Sequence, residues 1–421
     1  MRGPSRISVL SIGDEILSGE VEDDNFLFLA SEIRKMGFKL ARHVVAPDDE
    51  IQIADVLKEL CEVSDAVIMT GGLGPTSDDV PREGVARATD LELEYHQPTA
   101  EAIREFFASC DRYMPEENLR QAYVPSGSSI IPPAGGTAPG FVLDYRGTMV
   151  ISLPGVPREM KSMWMSHVAP ELRQRFWAGQ VTVTRKIMTF GAGESDVAGM
   201  LADRIGEGHV SYGFLAEQGA VIVKLTATTA DAKEAEAILD REHHEASRRL
   251  GSLEYGVDDA AMEEVVGKLL KRRGMTLSVA ESLTAGLVCG RIANVPGSST
   301  YFRGGVVTYT IASKSEVLGI PAALLRNGAV NRPVAEAMAV SVRKLFSSDI
   351  GVSTTGVAGP TTGGEKEPAG TVCLALACNG LTRSWKTHLP GDRQAVRNIA
   401  SLAALNALRL YLMGELNKEL E

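Results

Sequence analysis

Positive charge is in short supply. The 421 residues carry 43 lysines and arginines against 54 aspartates and glutamates, a formal net charge of -11. That balance argues against general affinity for nucleic acid or for an anionic membrane, both of which need a basic surface. A local basic pocket for a small phosphate ligand stays compatible with it. Cysteine is sparse as well: Cys61, Cys110, Cys289, Cys373 and Cys378 form an odd, scattered set with no C-x-x-C. Such a set gives neither a disulfide framework nor a zinc ribbon, and it fits reduced thiols. No apolar run reaches the roughly 18 residues that a membrane helix needs. The apolar start "ISVLSIG" stops at Gly13 and Asp14, too early for a signal peptide. A cytoplasmic protein without a membrane partner is expected. The common nucleotide fingerprints are also missing, since there is neither a P-loop nor a complete Rossmann glycine set.

What is present is alternation. "ISVLSIG" (7–13) and "DAVIMTGG" (65–72) read as buried strands ending in turns, and "NFLFLASEIRKMG" (25–37) and "DDEIQIADVLKELCEV" (48–63) have helical spacing. An α/β fold with a parallel sheet and helices on both faces follows for residues 1–172. Residues 180–255 change texture: "TVTRKIMTFG", "HVSYGFLAEQ" and "AVIVKLTATT" read as strands and "DAKEAEAILDREHHEASRRLG" as a charged helix, a small α+β module. "LEYGVDD" (253–259) reads as a linker. Alternation returns over 260–415, with helices at 261–273, 283–293, 333–346 and 392–412 and strands at 275–280, 302–311, 350–355 and 371–378.

Four segments are placed where chemistry is done. In "SIGDEILSGEVEDDN" the pair Asp14 and Glu15 follows a strand, at the sheet edge where open α/β folds bind ligands. In "TGGLGPTSDDVPRE" the residues Gly71, Gly72, Gly74 and Thr76 can cradle an anion, and Asp78 or Asp79 can cap the helix that begins near Pro81. The same two aspartates can instead share a divalent metal with phosphate oxygens. In "SVAESLTAG" Ser282 falls at the N-cap of a helix starting near Leu283, where the N–H groups of Thr284, Ala285 or Gly286 can stabilise an oxyanion. A serine nucleophile needs a base. "TYTIASKSEVLG" offers Tyr309 and Lys314, with Ser313 and Glu316 spaced as a capping box. The fourth segment, "STTGVAGPTTGG", repeats the glycine turn at a strand end, and Arg393 and Arg397 lie four apart on one helix, either solvated or clamping a phosphate.

Taken in order, "IGDEILSGEVEDDN", "TGGLGPTSDD", "GGTAPGF", "LPGVPREM", "FGAGESD" and "AESLTAG" resemble the CinA family over nearly the whole chain. The resemblance implies a molybdopterin-binding-like three-layer α/β/α domain over 1–172. It implies a KH-like α+β domain over 180–255 and an α/β deamidase domain over 260–415. It further implies that nicotinamide mononucleotide is deamidated with Ser282 as nucleophile, Lys314 as base and Tyr309 beside them. Ser299, Thr284, Thr355, Gly356 and Arg397 would then hold that substrate, with no cofactor. The N-terminal domain would cleave ADP-ribose to AMP and ribose 5-phosphate using magnesium, manganese or cobalt. Its ligands would be Asp14, Glu15, Asp78 and Asp79, with Gly71, Gly72, Gly74 and Thr76 around the substrate, and the protein would be a homodimer. Leu283, Ala285, Ile311, Asn331 and Pro81 depart from the family's usual residues. A non-catalytic pterin- or nucleotide-binding module is the alternative. RNA binding is not expected, because 180–255 lacks the Gly-x-x-Gly loop of a KH domain.

Overall fold

The computed structural model describes residues 5–176, 179–206, 208, 210–217, 219–362 and 364–416. These fall into two compact units, one running up to Val183 and taking in Thr228–Glu236, the other comprising Thr184–Ala227 and Ala237 onward. The ends of the predicted strand 209–218, His209 and Gln218, lie outside the described residues.

The first unit is built on a six-stranded sheet of order Lys39–Ala46, Arg6–Ile12, Ala66–Thr70, Thr148–Leu153, Gly140–Tyr145, Ser129–Ile131. The first four strands are parallel and the last two antiparallel, so the sheet is mixed where the alternation predicted a parallel one. Ile7 and Val9 join Leu29, Ile33 and Trp164 in one buried cluster. Leu10 and Ile12 join Ile53 and Leu57 in another. Two clusters served by alternating residues of one strand mean helices on both faces. Gly13 and the 71–79 loop therefore emerge side by side at the carboxyl edge. Gly71 has to be glycine, with φ +130° and an added Cβ meeting the Ile12 carbonyl at 2.2 Å.

Apart from residues 181–183 and 228–229, the second unit holds a four-stranded sheet of order Val210–Glu217, Ala220–Thr229, Val181–Phe190, Glu254–Val257. The predicted linker is thus a strand, pairing antiparallel with Val181–Phe190. Its other sheet runs Phe302–Val307, Leu277–Glu281, Ile350–Gly356, Thr371–Cys378, Leu381–His388, again parallel for three strands and antiparallel for two. The apolar side of Met262–Arg273 and Arg393–Met413 packs on one face through Val266, Leu270, Val396 and Leu405. Arg332–Leu345 covers the other through Met338 and Val342. Ser282 and Thr355 come out at the carboxyl ends of adjacent central strands.

Candidate active site

Ser282 and Lys314, 32 positions apart, meet. Lys314 Nζ lies 2.8 Å from Ser282 Oγ and 2.7 Å from the Thr308 carbonyl oxygen. The lysine comes from the helix Ile311–Leu318, which starts on Thr310. The Thr310 hydroxyl accepts from the Ser313 N–H, and the Ser313 hydroxyl accepts from the Thr310 N–H. The predicted Ser313–Glu316 box is therefore replaced by a box one turn earlier, and Lys314 points inward with only 1% exposure. Burial disfavours its ammonium form and brings the pKa down to about 8, while the nearby Glu365 carboxylate opposes the change. A buried amine with a depressed pKa beside a hydroxyl is an arrangement that can activate a serine. Both groups line a cavity of about 220 Å³ that opens to solvent, along with Leu283, Tyr309, Ile311, Thr355, Gly356, Glu365 and Arg393.

Ser282 is not a helix cap. The following helix is Leu287–Ala293, capped at Gly286, and residues 283–286 form a turn in which Ala285 takes a left-handed φ of 49°. The cap is supplied by Glu281, which is fully buried. Its carboxylate accepts from the N–H groups of Gly286 (2.8 Å), Val288 (3.2 Å) and Cys289 (2.8 Å). Of the three oxyanion donors expected, the Gly286 N–H is thus taken by Glu281 and that of Ala285 by the Ser282 carbonyl (3.1 Å). Among the described residues the N–H groups of Leu283 and Thr284 donate to no protein atom, and of these two residues Leu283 lines the cavity, which makes its N–H the candidate donor for an oxyanion.

The other predicted residues divide. Thr355 and Gly356 line the cavity, with Thr355 Oγ1 donating to the Ala329 carbonyl at 3.0 Å. Tyr309 sits half-exposed at the rim and accepts from Arg393 Nη2 at 2.6 Å, without contacting the Ser282–Lys314 pair. Thr284 is buried away from the cavity against Thr354, their hydroxyl oxygens 2.7 Å apart. Arg397 does not line the cavity; it donates to the carbonyls of Leu283 (3.0 Å) and Thr284 (3.1 Å) and so holds the turn behind the serine. Arg393, one turn earlier, takes the cavity position. Ser299 lies exposed on the short turn Ser298–Thr300, outside the cavity wall.

At the N-terminal sheet edge a second cavity, of about 320 Å³, is lined by Gly71 and Gly72 and by seven acids: Glu15, Glu22, Asp23, Asp24, Asp48, Asp78 and Asp79. No lysine or arginine joins them among the described lining residues. Asp14, Gly74 and Thr76 fall outside its wall. Asp79 caps no helix, and Pro81–Thr89 starts at Val80 without a side-chain cap. Asp79 is instead committed to its own loop, accepting from the N–H groups of Gly74 (2.8 Å) and Thr76 (2.7 Å). Asp48, which the sequence reading passed over, accepts from the Asp14 N–H at 3.1 Å. Burial pushes its carboxyl pKa up, and Asp14, Glu15 and Asp78 add to the rise. Among the described residues no three Asp, Glu, His or Cys side chains stand close enough to hold a metal by themselves, so the four predicted ligands do not form a closed cage.

Residues 8–174 match the family described as probable molybdopterin binding domain, 184–256 the damage-inducible protein CinA KH domain, and 259–412 the CinA C-terminal domain. A CinA-like protein of Citrifermentans bemidjiense is 41% identical over 97% of this chain and 98% of its own. The chain belongs to the CinA family. Another CinA-like protein, from Frankia casuarinae, is 38% identical over 99% of this chain and 98% of its own length. A solved CinA protein from Thermoplasma acidophilum, 31% identical, aligns with 40% of this chain and 98% of that one at a TM-score of 0.38.

This CinA-family chain has a three-domain α/β architecture, and four of its departures from the family's usual residues have defined places in the fold. Asn331 N-caps Arg332–Leu345 by accepting from the Val334 N–H at 2.9 Å, a role open equally to serine. Pro81 stands at the first helical position, where its missing N–H costs nothing. Leu283 and Ile311 add apolar surface to the cavity wall. No helix among the described residues of this CinA-family protein is long and apolar enough to cross a membrane.

Proposed function

We propose that the C-terminal domain hydrolyses the carboxamide of nicotinamide mononucleotide to nicotinate mononucleotide and ammonia. One observation carries this: a buried lysine amine, its pKa near 8, lies 2.8 Å from a serine hydroxyl at a cavity wall. Lys314 takes the Ser282 proton as Oγ attacks the carboxamide carbon. The oxyanion would be met by the Leu283 N–H at the cavity wall. Collapse breaks the C–N bond, and the proton passes from Nζ to the departing amine, which leaves as ammonia. Water, deprotonated by the same amine, then cleaves the acyl ester, returning the proton to Ser282 and releasing the carboxylate. With purified protein and nicotinamide mononucleotide, ammonia and nicotinate mononucleotide are expected in equal amounts. Absence of both products removes the proposal.

For the N-terminal domain we propose metal-dependent cleavage of ADP-ribose to AMP and ribose 5-phosphate. A cavity lined by acids without a basic partner does not receive a pyrophosphate unless a cation comes with it. Glu15, Asp48 and Asp78 would hold a divalent ion (magnesium, manganese or cobalt) together with the ligand's phosphate oxygens, and such an ion supplies Lewis-acid polarisation of the pyrophosphate. Gly71 and Gly72 line the same cavity, where the phosphates would meet backbone. A chelator is expected to stop AMP release from ADP-ribose while deamidation continues, and Asp48→Asn to raise the metal concentration needed for half-maximal AMP release at least tenfold. AMP release that persists in chelator counts against the metal. The lack of a closed cage favours a second reading, a pterin- or nucleotide-binding module without turnover. Tight pterin binding with ADP-ribose left intact would establish that one.

A further inference from the structure

The C-terminal cavity carries a carboxylate that hinders the chemistry just described. Glu365 is the one acid among its described lining residues, and its negative charge favours the ammonium form of Lys314, the wrong form for a base. Nor is Glu365 a stray surface group. Both its oxygens accept from the Ala329 N–H, at 3.0 and 3.1 Å, and Thr355 holds the carbonyl of that same residue. The carboxylate is thus fixed in the wall beside the dyad. Arg393, the one arginine among the described lining residues, is tied at the rim to the Tyr309 hydroxyl (2.6 Å) and the Gly359 carbonyl (2.8 Å). The cavity wall therefore has held charges of both signs.

We infer that Glu365 is the counter-charge for a cationic heteroaromatic ring, so that the cavity selects carboxamides borne on a positively charged ring, with the ligand's phosphate toward Arg393, over the same carboxamide on a neutral ring. The inference rests on the deamidase proposal above and adds the basis of its specificity. A pyridinium ring bearing the carboxamide and carrying a ribose phosphate has one positive and one negative end, matching the wall. With that ring bound, Glu365 is paired and its field at Lys314 is offset. A neutral ring strips water from the carboxylate and offers nothing in return, the kind of mismatch that sites built around a polar contact reject strongly.

The test compares nicotinamide mononucleotide with benzamide riboside 5′-phosphate, which has the same carboxamide and phosphate on an uncharged ring. Equilibrium binding is measured on full-length Ser282→Ala, so that bound ligand is not consumed, and on Ser282→Ala with Glu365→Gln. Glutamine keeps one oxygen for the Ala329 N–H, exchanges the other for an amide N–H₂ and removes the charge. Ser282→Ala is expected to bind the cationic ligand at least tenfold more tightly, and the double variant to bind the two alike. Glu365→Asp in place of Gln is expected to keep a reduced preference. A preference that survives Glu365→Gln, no preference at the outset, or no binding of either ligand overturns the inference. Ammonia release by the wild-type protein, run alongside, decides the deamidase proposal on its own.

Discussion

Ser282→Ala and Lys314→Met are each expected to bring ammonia release from nicotinamide mononucleotide close to background while ADP-ribose cleavage continues. Loss of a nucleophile costs on the order of 10⁴-fold or more, and loss of a general base about 10²–10⁴-fold. The two residues act as a unit, so the double variant should be scarcely worse than the weaker single one. Methionine keeps the length of the lysine stem and leaves the Thr308 carbonyl and the Ser282 hydroxyl without the Nζ partner, so the fold should survive. A Lys314→Met enzyme with unchanged kcat and a raised KM would make the lysine a binding group instead of a base. The pH profile provides an independent check. Burial lowers the Lys314 pKa to about 8, and the active form is the free amine. In the free enzyme, kcat/KM should therefore climb about tenfold per pH unit below that value and level off above it. A profile that stays flat through pH of about 8 would exclude this amine as the base.

Most of the framework was legible because central strands are buried on both faces and carry no charge in mid-strand, and Leu277–Glu281, Ile350–Gly356 and Thr371–Cys378 read that way directly. Leu381–His388 was missed because it is a sheet edge, half exposed, and its sequence LTRSWKTH is mostly polar. The pairing of Ser282 with Lys314 came from motif order, and the structure puts the two in contact. The supporting parts did not come, since their partners are far apart in sequence or face the wrong way for a local rule. Glu281 caps from inside the preceding strand, five residues before the N-cap Gly286, where no capping pattern looks. Asp79 resembles a helix cap by position, yet it bonds back to Gly74 and Thr76. Arg393 and Arg397 are equivalent by spacing, but helical rotation sends one to the cavity and the other to the 283–284 carbonyls. The Glu365–Ala329 contact spans 36 positions and leaves no trace in either segment.

Glu281→Ala is expected to loosen the serine turn without touching either reacting group. The turn 282–286 is held from two sides, by the Glu281 carboxylate on three N–H groups and by Arg397 on two carbonyls. An anion at a helix start also complements the helix dipole. Alanine strands those N–H groups, two of them half-buried and that of Val288 buried, at a cost of about 3 kcal/mol, by analogy with unpaired buried donors elsewhere. Local opening should then rise about a hundredfold, seen as faster hydrogen exchange at Gly286, Val288 and Cys289. Ser282 would lose its fixed approach to the carboxamide, and kcat should fall at least tenfold with KM little changed. Glu281→Gln retains one acceptor oxygen but turns its amide N–H₂ toward other N–H groups, so it should fall between the wild type and alanine on both measures. Exchange rates in Glu281→Ala equal to those of the wild type would mean that Arg397 alone holds the turn. Faster exchange with unchanged kcat would mean that Ser282 is aimed by the strand Leu277–Glu281 and not by the turn that follows it.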